Sequence, residues 1–514
     1  MLTGERSQKM HKPLFALIVV FLPVFLLLGC GLIKHRAIPA EVSWAKSYGG
    51  AVGDWAYSTQ QTSDGGYIVP GETYSFGASS WDFWVLKLNS DGTISWQKTY
   101  GGTRDDYAPS IQQTSDGGYI VAGYNSSFGA GNDDFWVLKL NSEGAVSWQK
   151  TYGGTRDDHA HSIQQTRDGG YIVAGSTRSF GAGWGDFWVL KLKSDGTVSW
   201  QKSYGDDGEG QAKSIQQTSD GGYIVAGDTE SFGADGPDFW VLKLNSEGTV
   251  CWQKTYGGTG DDRACSIQQT RDGGYIVAGY TASFGAGGYD DFWVLKLESD
   301  GTISWQKRYS DTIDDLASSV QQTRDGGYIV AGYSVAAGGY DLWVLKLNSN
   351  GTVAWQKTYG GTVWDYATSI QQTSDGGYIV AGYTCSFGAR DDDFWVLKLK
   401  SDGTISWQKR YGGAYGDDAH SVQQTTDGGY IVGGGTYSFG AAKSDFWLLK
   451  LRSDGTITFN PKSGAQMIDT DAVPVDTNCT VTDTKAIVTD TSATVTDTNA
   501  VPVDTDATVQ QQAP

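Results

Sequence analysis

Three observations predict an all-β chain: an eight-bladed β-propeller of four-stranded antiparallel blades, followed by a tail that is disordered. A tryptophan recurs at Trp44, Trp96, Trp148, Trp200, Trp252, Trp305, Trp355 and Trp407, spaced by 52 residues with one spacing of 53 and one of 50. Asp-Gly-Gly turns keep the same beat at Asp64, Asp116, Asp168, Asp220, Asp272, Asp325, Asp375 and Asp427. The chain holds 71 Gly and 20 Trp but only 10 Pro, and 13% of it is aromatic. That composition suits many short strands joined by tight turns and anchored by large rings. A disordered chain would lack the aromatics.

One repeat shows the elements in order. Residues 110–114 (SIQQT) read as a short strand, and Ser115-Asp116-Gly117-Gly118 as a hairpin turn, since Asp-Gly tolerates the positive φ of tight hairpins. Residues 119–124 (YIVAGY) follow as a second strand. After the loop SFGAGND, residues 135–140 (FWVLKL) form a third, apolar on both faces, and residues 145–152 (AVSWQKTY) a fourth. No stretch carries a helical period. Four strands in about fifty residues, eight times over, predict propeller blades. Strands apolar on both faces fit blades packed between two neighbours. Chain order puts SIQQT innermost, along the channel, and SWQKTY at the rim.

The rim strand carries a lysine in every copy: Lys46, Lys98, Lys150, Lys202, Lys254, Lys307, Lys357 and Lys409. A charge there blocks edge-to-edge aggregation. These lysines, those of FWVLKL and the turn aspartates are read as structural, because a residue needed in all eight blades is needed by the blade.

The repeat WxKxYGGxxxDxAxSIxxTxDGGYIVAGYTxSFGAGxxDFWVLKLxxDG resembles the SBBP-type β-propeller repeats of bacteria and archaea, over residues 41–459. The resemblance implies the propeller fold and leaves the function open, because propellers host many activities. FWVLKLNSDGTISW is also similar to the tryptophan-docking strands of quinoprotein dehydrogenases. Its Ala-x-Asp and Thr-Gly elements are missing here, so no quinone, and no other cofactor, is expected.

Nine copies of the fourth strand exist for eight copies of the others. The N-terminal one, which keeps Trp44, Lys46 and Tyr48-Gly49-Gly50, is expected to close the ring beside FWLLKL. The alternative, residues 456–459, ends on Phe459 and runs into Pro461.

Ahead of the repeats, Arg6, Lys9 and Lys12 precede an apolar run over residues 14–28, short for a membrane span and suited to a secretory signal. It ends in Leu27-Leu28-Gly29-Cys30, which resembles the lipobox of bacterial lipoproteins. The resemblance implies cleavage before Cys30, three acyl chains on that residue and, with Gly31 following, an outer-membrane address in the cell envelope. The domains are then a signal peptide (1–29), an anchor linker (30–40), the propeller (41–460) and the tail (461–514). The tail contains six DTxAxVx-like heptads beginning at Asp469, Asp476, Asp483, Asp490, Asp497 and Asp504. It lacks an a/d stripe and reads as an acidic, disordered spacer or stalk, with strand stacking the second reading.

The net charge of −20 argues against nucleic acid and anionic membrane surfaces as partners. Membrane contact is expected through the lipid anchor only, and the protein is expected to be a monomer. Five cysteines at irregular positions make no disulfide framework and no CxxC pair, so Cys251, Cys265 and Cys385 read as tolerated substitutions.

The eight copies vary most at two positions near the start of the inner strand. One is Trp55, Tyr107, His159, Gln211, Arg263, Leu316, Tyr366 and Asp418. The other is Tyr57, Pro109, His161, Lys213, Cys265, Ser318, Thr368 and His420. Strict alternation puts both on one side of the strand at the channel mouth. Variation there suits a binding mouth, and it equally suits relaxed constraint on exposed loops. The candidate binding face is Trp55, Tyr107, His159, His161, Trp184, Arg263, Trp364 and Tyr366. His159 and His161 could place two imidazoles beside Asp158 for a transition metal, although two ligands alone make no site. No D-x-D-x-D-G calcium loop occurs. The acidic pairs Asp105-Asp106, Asp157-Asp158, Asp261-Asp262 and Asp314-Asp315 recur in equivalent settings, so no catalytic pair stands out.

These features favour an envelope binding or scaffold protein that contacts a protein or an envelope polysaccharide. A subunit of an envelope assembly machine and a polysaccharide-acting enzyme are the alternatives. If Cys30 carries the anchor, Cys30→Ala should release the protein from membranes or leave an unprocessed precursor. Unchanged fractionation and processing would end that reading.

Overall fold

A computed structural model describes residues 42–457, apart from 78–79, 234–235, 285–287, 311–313, 337–338, 388–390 and 441–442, together with seven short strands between residues 466 and 511. The expected signal sequence and Cys30 lie outside the described residues. No described helix is long and apolar enough to cross a membrane.

The chain forms eight antiparallel sheets, each with four strands from one repeat. In blade two, Asp106–Gln113 is innermost, then Tyr119–Asn125, Asp134–Leu140 and Val146–Tyr152. The third strands are buried along their full length, as both-sided apolarity requires of a strand between two neighbouring blades.

Blades are joined by three sets of contacts. The third-strand tryptophan packs on the phenylalanine of the preceding blade: Phe135–Trp188 at 4.5 Å, Phe187–Trp240 at 4.4 Å and Phe239–Trp293 at 4.6 Å between ring centroids. Near the rim, the fourth-strand Trp and Tyr donate to the following blade's third hairpin, as Trp96 Nε1 does to the Ser142 carbonyl (2.9 Å) and Tyr100 to the Gly144 carbonyl (2.7 Å). Gly144 adopts φ +71° beneath the Trp96 ring, where any Cβ would stand 2.7 Å from it. At the hub, the paired glutamines of SIQQT link inner strands, with Gln112 Oε1 accepting from the Gln165 N–H (2.6 Å) and Gln165 Oε1 from the Ser115 N–H (2.8 Å).

The lysines of FWVLKL have the structural role expected of them. Each buried ammonium meets the turn aspartate of its own blade, as in Lys87–Asp64 (2.8 Å) and Lys139–Asp116 (2.9 Å), and donates to the next carbonyl. A buried amine is tolerated only when so paired.

The ring closes as the spacing argument expects. Trp44–Tyr48 pairs antiparallel with Asp445–Leu451, with Trp44 opposite Lys450 and Tyr48 opposite Phe446. Blade eight is therefore built from both ends of the propeller. Trp44 Nε1 and the Tyr48 hydroxyl then hold blade one through the Ser90 and Gly92 carbonyls. Thr456 and Ile457, from the competing copy, form no strand, and Ile457 is buried in the core beside blade eight.

The segment after Ser463, expected as an acidic spacer, includes short strands. Seven short stretches of it are strands, each added antiparallel to the outer strand of one blade, from Gln466–Asp469 on blade seven to Thr508–Gln511 on blade one. Thr and Val favour extended backbone, and a rim strand offers unpaired backbone groups.

Trp44→Ala should reduce the unfolding free energy by about 3–5 kcal/mol, the usual cost of truncating a buried tryptophan. Denaturant titration against the exposed Val42→Ala control checks this. Equal midpoints for the two variants would contradict the closure role.

Candidate functional site

The antiparallel order divides the loops between two faces. The loops leading into the inner strands and those between second and third strands share one; both hairpin turns of each blade lie on the other. On the first face the loops knit neighbours together, as where the Asp106 N–H bonds the Trp81 carbonyl (2.7 Å) and the Ser126 N–H bonds the Asp105 carbonyl (3.0 Å).

Exposed apolar side chains separate sharply between these faces. Nine large hydrophobics are exposed among the described residues, and seven lie on the loop face: Tyr74, Trp184, Tyr289, Val363, Trp364, Tyr415 and Tyr437. Trp184 is 78% and Tyr415 61% exposed. Val42 and Ile94 are the other two. Trp184 borders a cleft of about 780 Å³ lined also by Arg156, Asp157, Arg178 and Asp207. Arg178 is held there by Asp157 and Glu209, each at 3.3 Å, and donates from Nε to the Trp184 carbonyl.

The first variable position stands half-buried at the channel mouth and forms distinct sectors. Trp55 lies against His420 (5.5 Å) and Tyr437 (6.0 Å). Tyr107 and His159 flank Tyr124, at 5.1 and 4.3 Å. Tyr366 joins Tyr333, Tyr340 and Tyr383 within 5.4 Å. Between these aromatic sectors lies a charged one, where Arg263 approaches Asp228 and Asp261 at 3.6 Å each, and Lys213 donates to Gln211.

The second variable position departs from strict alternation. A β-bulge displaces the register there in blades two to eight; in blade three it falls between Ala160 and Ser162, so that His161 is the extra residue. A bulge re-aims its side chain. Thr368 accordingly lies 2.9 Å from the Ala419 carbonyl of the next blade. His161 Nε2 is shielded and without a hydrogen-bond partner, and burial, then Lys213 and His159, push its pKa well below the ordinary value. As a residue it is half-buried, like His159. His159 instead bonds Asp133 (2.9 Å), so the two imidazoles serve separate neighbourhoods. Among the described residues, no three His, Cys, Asp or Glu side chains converge as a metal site. Cys251, Cys265 and Cys385 are not in disulfides, and burial pushes the Cys265 thiol up to about 12.

One class of mouth residue escaped the sequence reading. Directly opposite the first variable position, on the second strand, stand Glu72, Tyr124, Asp228, Tyr280, Tyr333 and Tyr383. The signal was there: the residue after YIVAG also varies between copies. Glu72 accepts a 2.5 Å hydrogen bond from the Tyr57 hydroxyl, and burial raises it to about 7.

Below the mouth, buried aspartates begin the inner and third strands. Asp106, Asp186, Asp341 and Asp393 are each pushed up to about 7, chiefly by burial, and Asp134 to about 6. The carboxylates approach in pairs across each junction, since a Cβ on Gly101 would meet both Asp82 and Asp106. Where the outer strand substitutes Arg for Thr or Ser, as Arg308 and Arg410, the guanidinium reaches the pair through Asp291 and Asp393. The turn aspartates behave oppositely. Burial would raise Asp64 and Asp116, but bonds from lysine, threonine and backbone N–H outweigh it and hold them at about 2.

The family model described as a β-propeller domain of unknown function, DUF5122, matches residues 323–353. No curated protein matches the chain. Among solved structures, Sqt1 of Chaetomium thermophilum bound to the N-terminus of ribosomal protein L10 is similar at 10% identity, over 79% of this chain and 98% of that one, with a TM-score of 0.48. A Dyadobacter fermentans protein of unknown function aligns at 11% identity over 67% and 94%, with a TM-score of 0.32. The endo-1,5-α-L-arabinanase of Thermotoga petrophila aligns at 11% identity over 79% and 99%, with a TM-score of 0.21.

The two aspartate sets give a signed pH dependence. Unfolded aspartates titrate near 4, so from pH 7 down to about 4 the folded chain binds more protons through the raised carboxyls and gains stability. Below about 4 the unfolded chain binds more, through the depressed turn aspartates, and stability falls toward pH 2. Urea midpoints should therefore peak at about pH 4–5. A midpoint that falls steadily from pH 7 downward would contradict the raised carboxyls.

Proposed function

We propose that this chain is a lipid-anchored binding protein of the bacterial cell envelope, tethered through Cys30, that grips a protein or envelope polysaccharide with its loop face. The concentration of exposed large hydrophobics on that face, seven of nine among the described residues and six of them aromatic, carries the reading. Large rings bury much area at little entropic cost and dominate binding hot spots. Trp184 beside Arg178 gives one anchor, and Trp364 and Tyr415 give others around the ring. The half-buried mouth residues Trp55, Tyr107, Arg263 and Tyr366 form the centre of the face, with His159 held by Asp133. Such a role needs no cofactor.

A second reading, a polysaccharide-acting enzyme, draws on Glu72. A carboxyl with its pKa near neutrality can act as a general acid or base. Glu72→Gln, assayed for cleavage on a panel of envelope polysaccharides, distinguishes the two, because binding needs no proton transfer.

Trp184→Ala, Trp364→Ala and Tyr415→Ala together should weaken binding to envelope proteins or glycans by at least about tenfold. Alanine at Ser63 and Ser115 on the hairpin-turn face should leave binding unchanged, with folding checked by circular dichroism. Loss confined to the hairpin-turn variants would place the site on the opposite face.

A further inference from the structure

The C-terminal heptads and the blade lysines are separate repeats in the sequence, one of seven residues and one of about fifty-two. The strand pairing brings them into a single register. Asp469 stands opposite Lys409, Asp476 opposite Lys357 and Asp483 opposite Lys307. Asp490 stands opposite Lys254, Asp497 opposite Lys202 and Asp504 opposite Lys150. At the seventh step Gln511 meets Lys98. We infer that the rim of the propeller is a strand-accepting surface whose built-in occupant is this chain's own C-terminal segment, one heptad per blade, keyed by these Asp–Lys juxtapositions.

Three features carry this. First, the charge match is complete: every heptad aspartate of the tail falls opposite a rim lysine, and opposite charges directly across an antiparallel pair stabilise it. Second, length fits the step. The paired aspartates recur every seven residues, an extended reach of roughly 23 Å from one blade to the next. The tail thus runs from blade seven to blade one, against the order in which the blades were made. Third, the prolines leave the mark that pairing demands. Four-residue strands such as Thr480–Asp483 and Thr494–Asp497 shrink to Val475–Asp476 and Val503–Asp504 where Pro474 and Pro502 stand two residues before the aspartate. Proline cannot donate to a ladder. The eighth rim strand, Trp44–Tyr48, carries no tail strand among the described residues, and it belongs to the blade from which the tail departs.

This also revises the purpose of the rim lysines. They deter foreign strands, and the same charge selects a strand with an acidic residue every seventh position. A second copy's tail has the same chemistry, so the test must separate the two occupants.

Zero-length carbodiimide coupling joins a lysine amine to a carboxylate only when the two are in contact. Applied to a mixture of light and isotopically heavy full-length protein, it should yield Lys254–Asp490 and Lys307–Asp483 links within single copies. Links mostly between light and heavy chains would assign the rim to another copy's tail and overturn the own-chain assignment. Absence of both would overturn the strand-accepting rim itself. Hydrogen exchange gives an independent reading. Replacing the six heptad aspartates by lysine should speed exchange of the rim peptides 198–205 and 250–257 at least tenfold, leaving the third strands unchanged. Equal rim exchange in the two proteins would refute the charge key.

Discussion

Everything in this molecule depends on the step from the phenylalanine of one blade to the tryptophan of the next. A propeller has no central core; each blade is a thin sheet with two apolar faces, and neither face can be covered from within. The Phe–Trp contacts, 4.4 to 4.6 Å between ring centres, cover them in sequence around the ring. Aromatic pairs of this kind add about 0.5–1.5 kcal/mol beyond their buried area. Because the step repeats, so does its sequence, and FWVLKL is nearly invariant while the loops above it drift. Blade six, with Leu342 in place of phenylalanine, keeps the core closed with an aliphatic side chain.

That division explains what could be read in advance. Blade number, strand order, the pairing of Trp44 and the structural use of the FWVLKL lysines all follow from residues that recur at a fixed spacing. The channel mouth was legible only in part. Trp55, Tyr107, Arg263 and Tyr366 were found because they vary where neighbours do not. The bulge at His161 was not legible, because nothing in AxSI announces a break in the two-residue period. Tyr124, Tyr333 and Tyr383 were missed because they stand on a strand whose other residues are all core. The pairing of the tail stretches was not legible for a further reason: their partner strands lie tens to hundreds of residues away, and local pattern carries no trace of which strand each one meets.

The electrostatics follow the same geometry. Turn aspartates face lysines and stay charged, whereas the junction aspartates are pushed toward protonation chiefly by burial. The formal charge of −20 therefore overstates the charge the folded ring carries near neutral pH. Much of what remains lies on loops and turns. The loop face accordingly offers aromatic rings among compensated ion pairs such as Arg178 with Asp157 and Glu209.

The shared eighth blade has a consequence for how the chain is made. Trp44–Tyr48 leaves the ribosome first and has no strand to pair with until Asp445–Leu451 follows, about four hundred residues later. At about 5–20 residues per second, that strand waits about 20–80 s with an apolar face uncovered. Until then the nascent propeller is an open stack with a raw edge at each end, able to add foreign strands or another copy's blades. A chain of this design must stay unfolded, or be shielded, until its eighth repeat arrives, because only then do the two ends of the propeller become a single sheet.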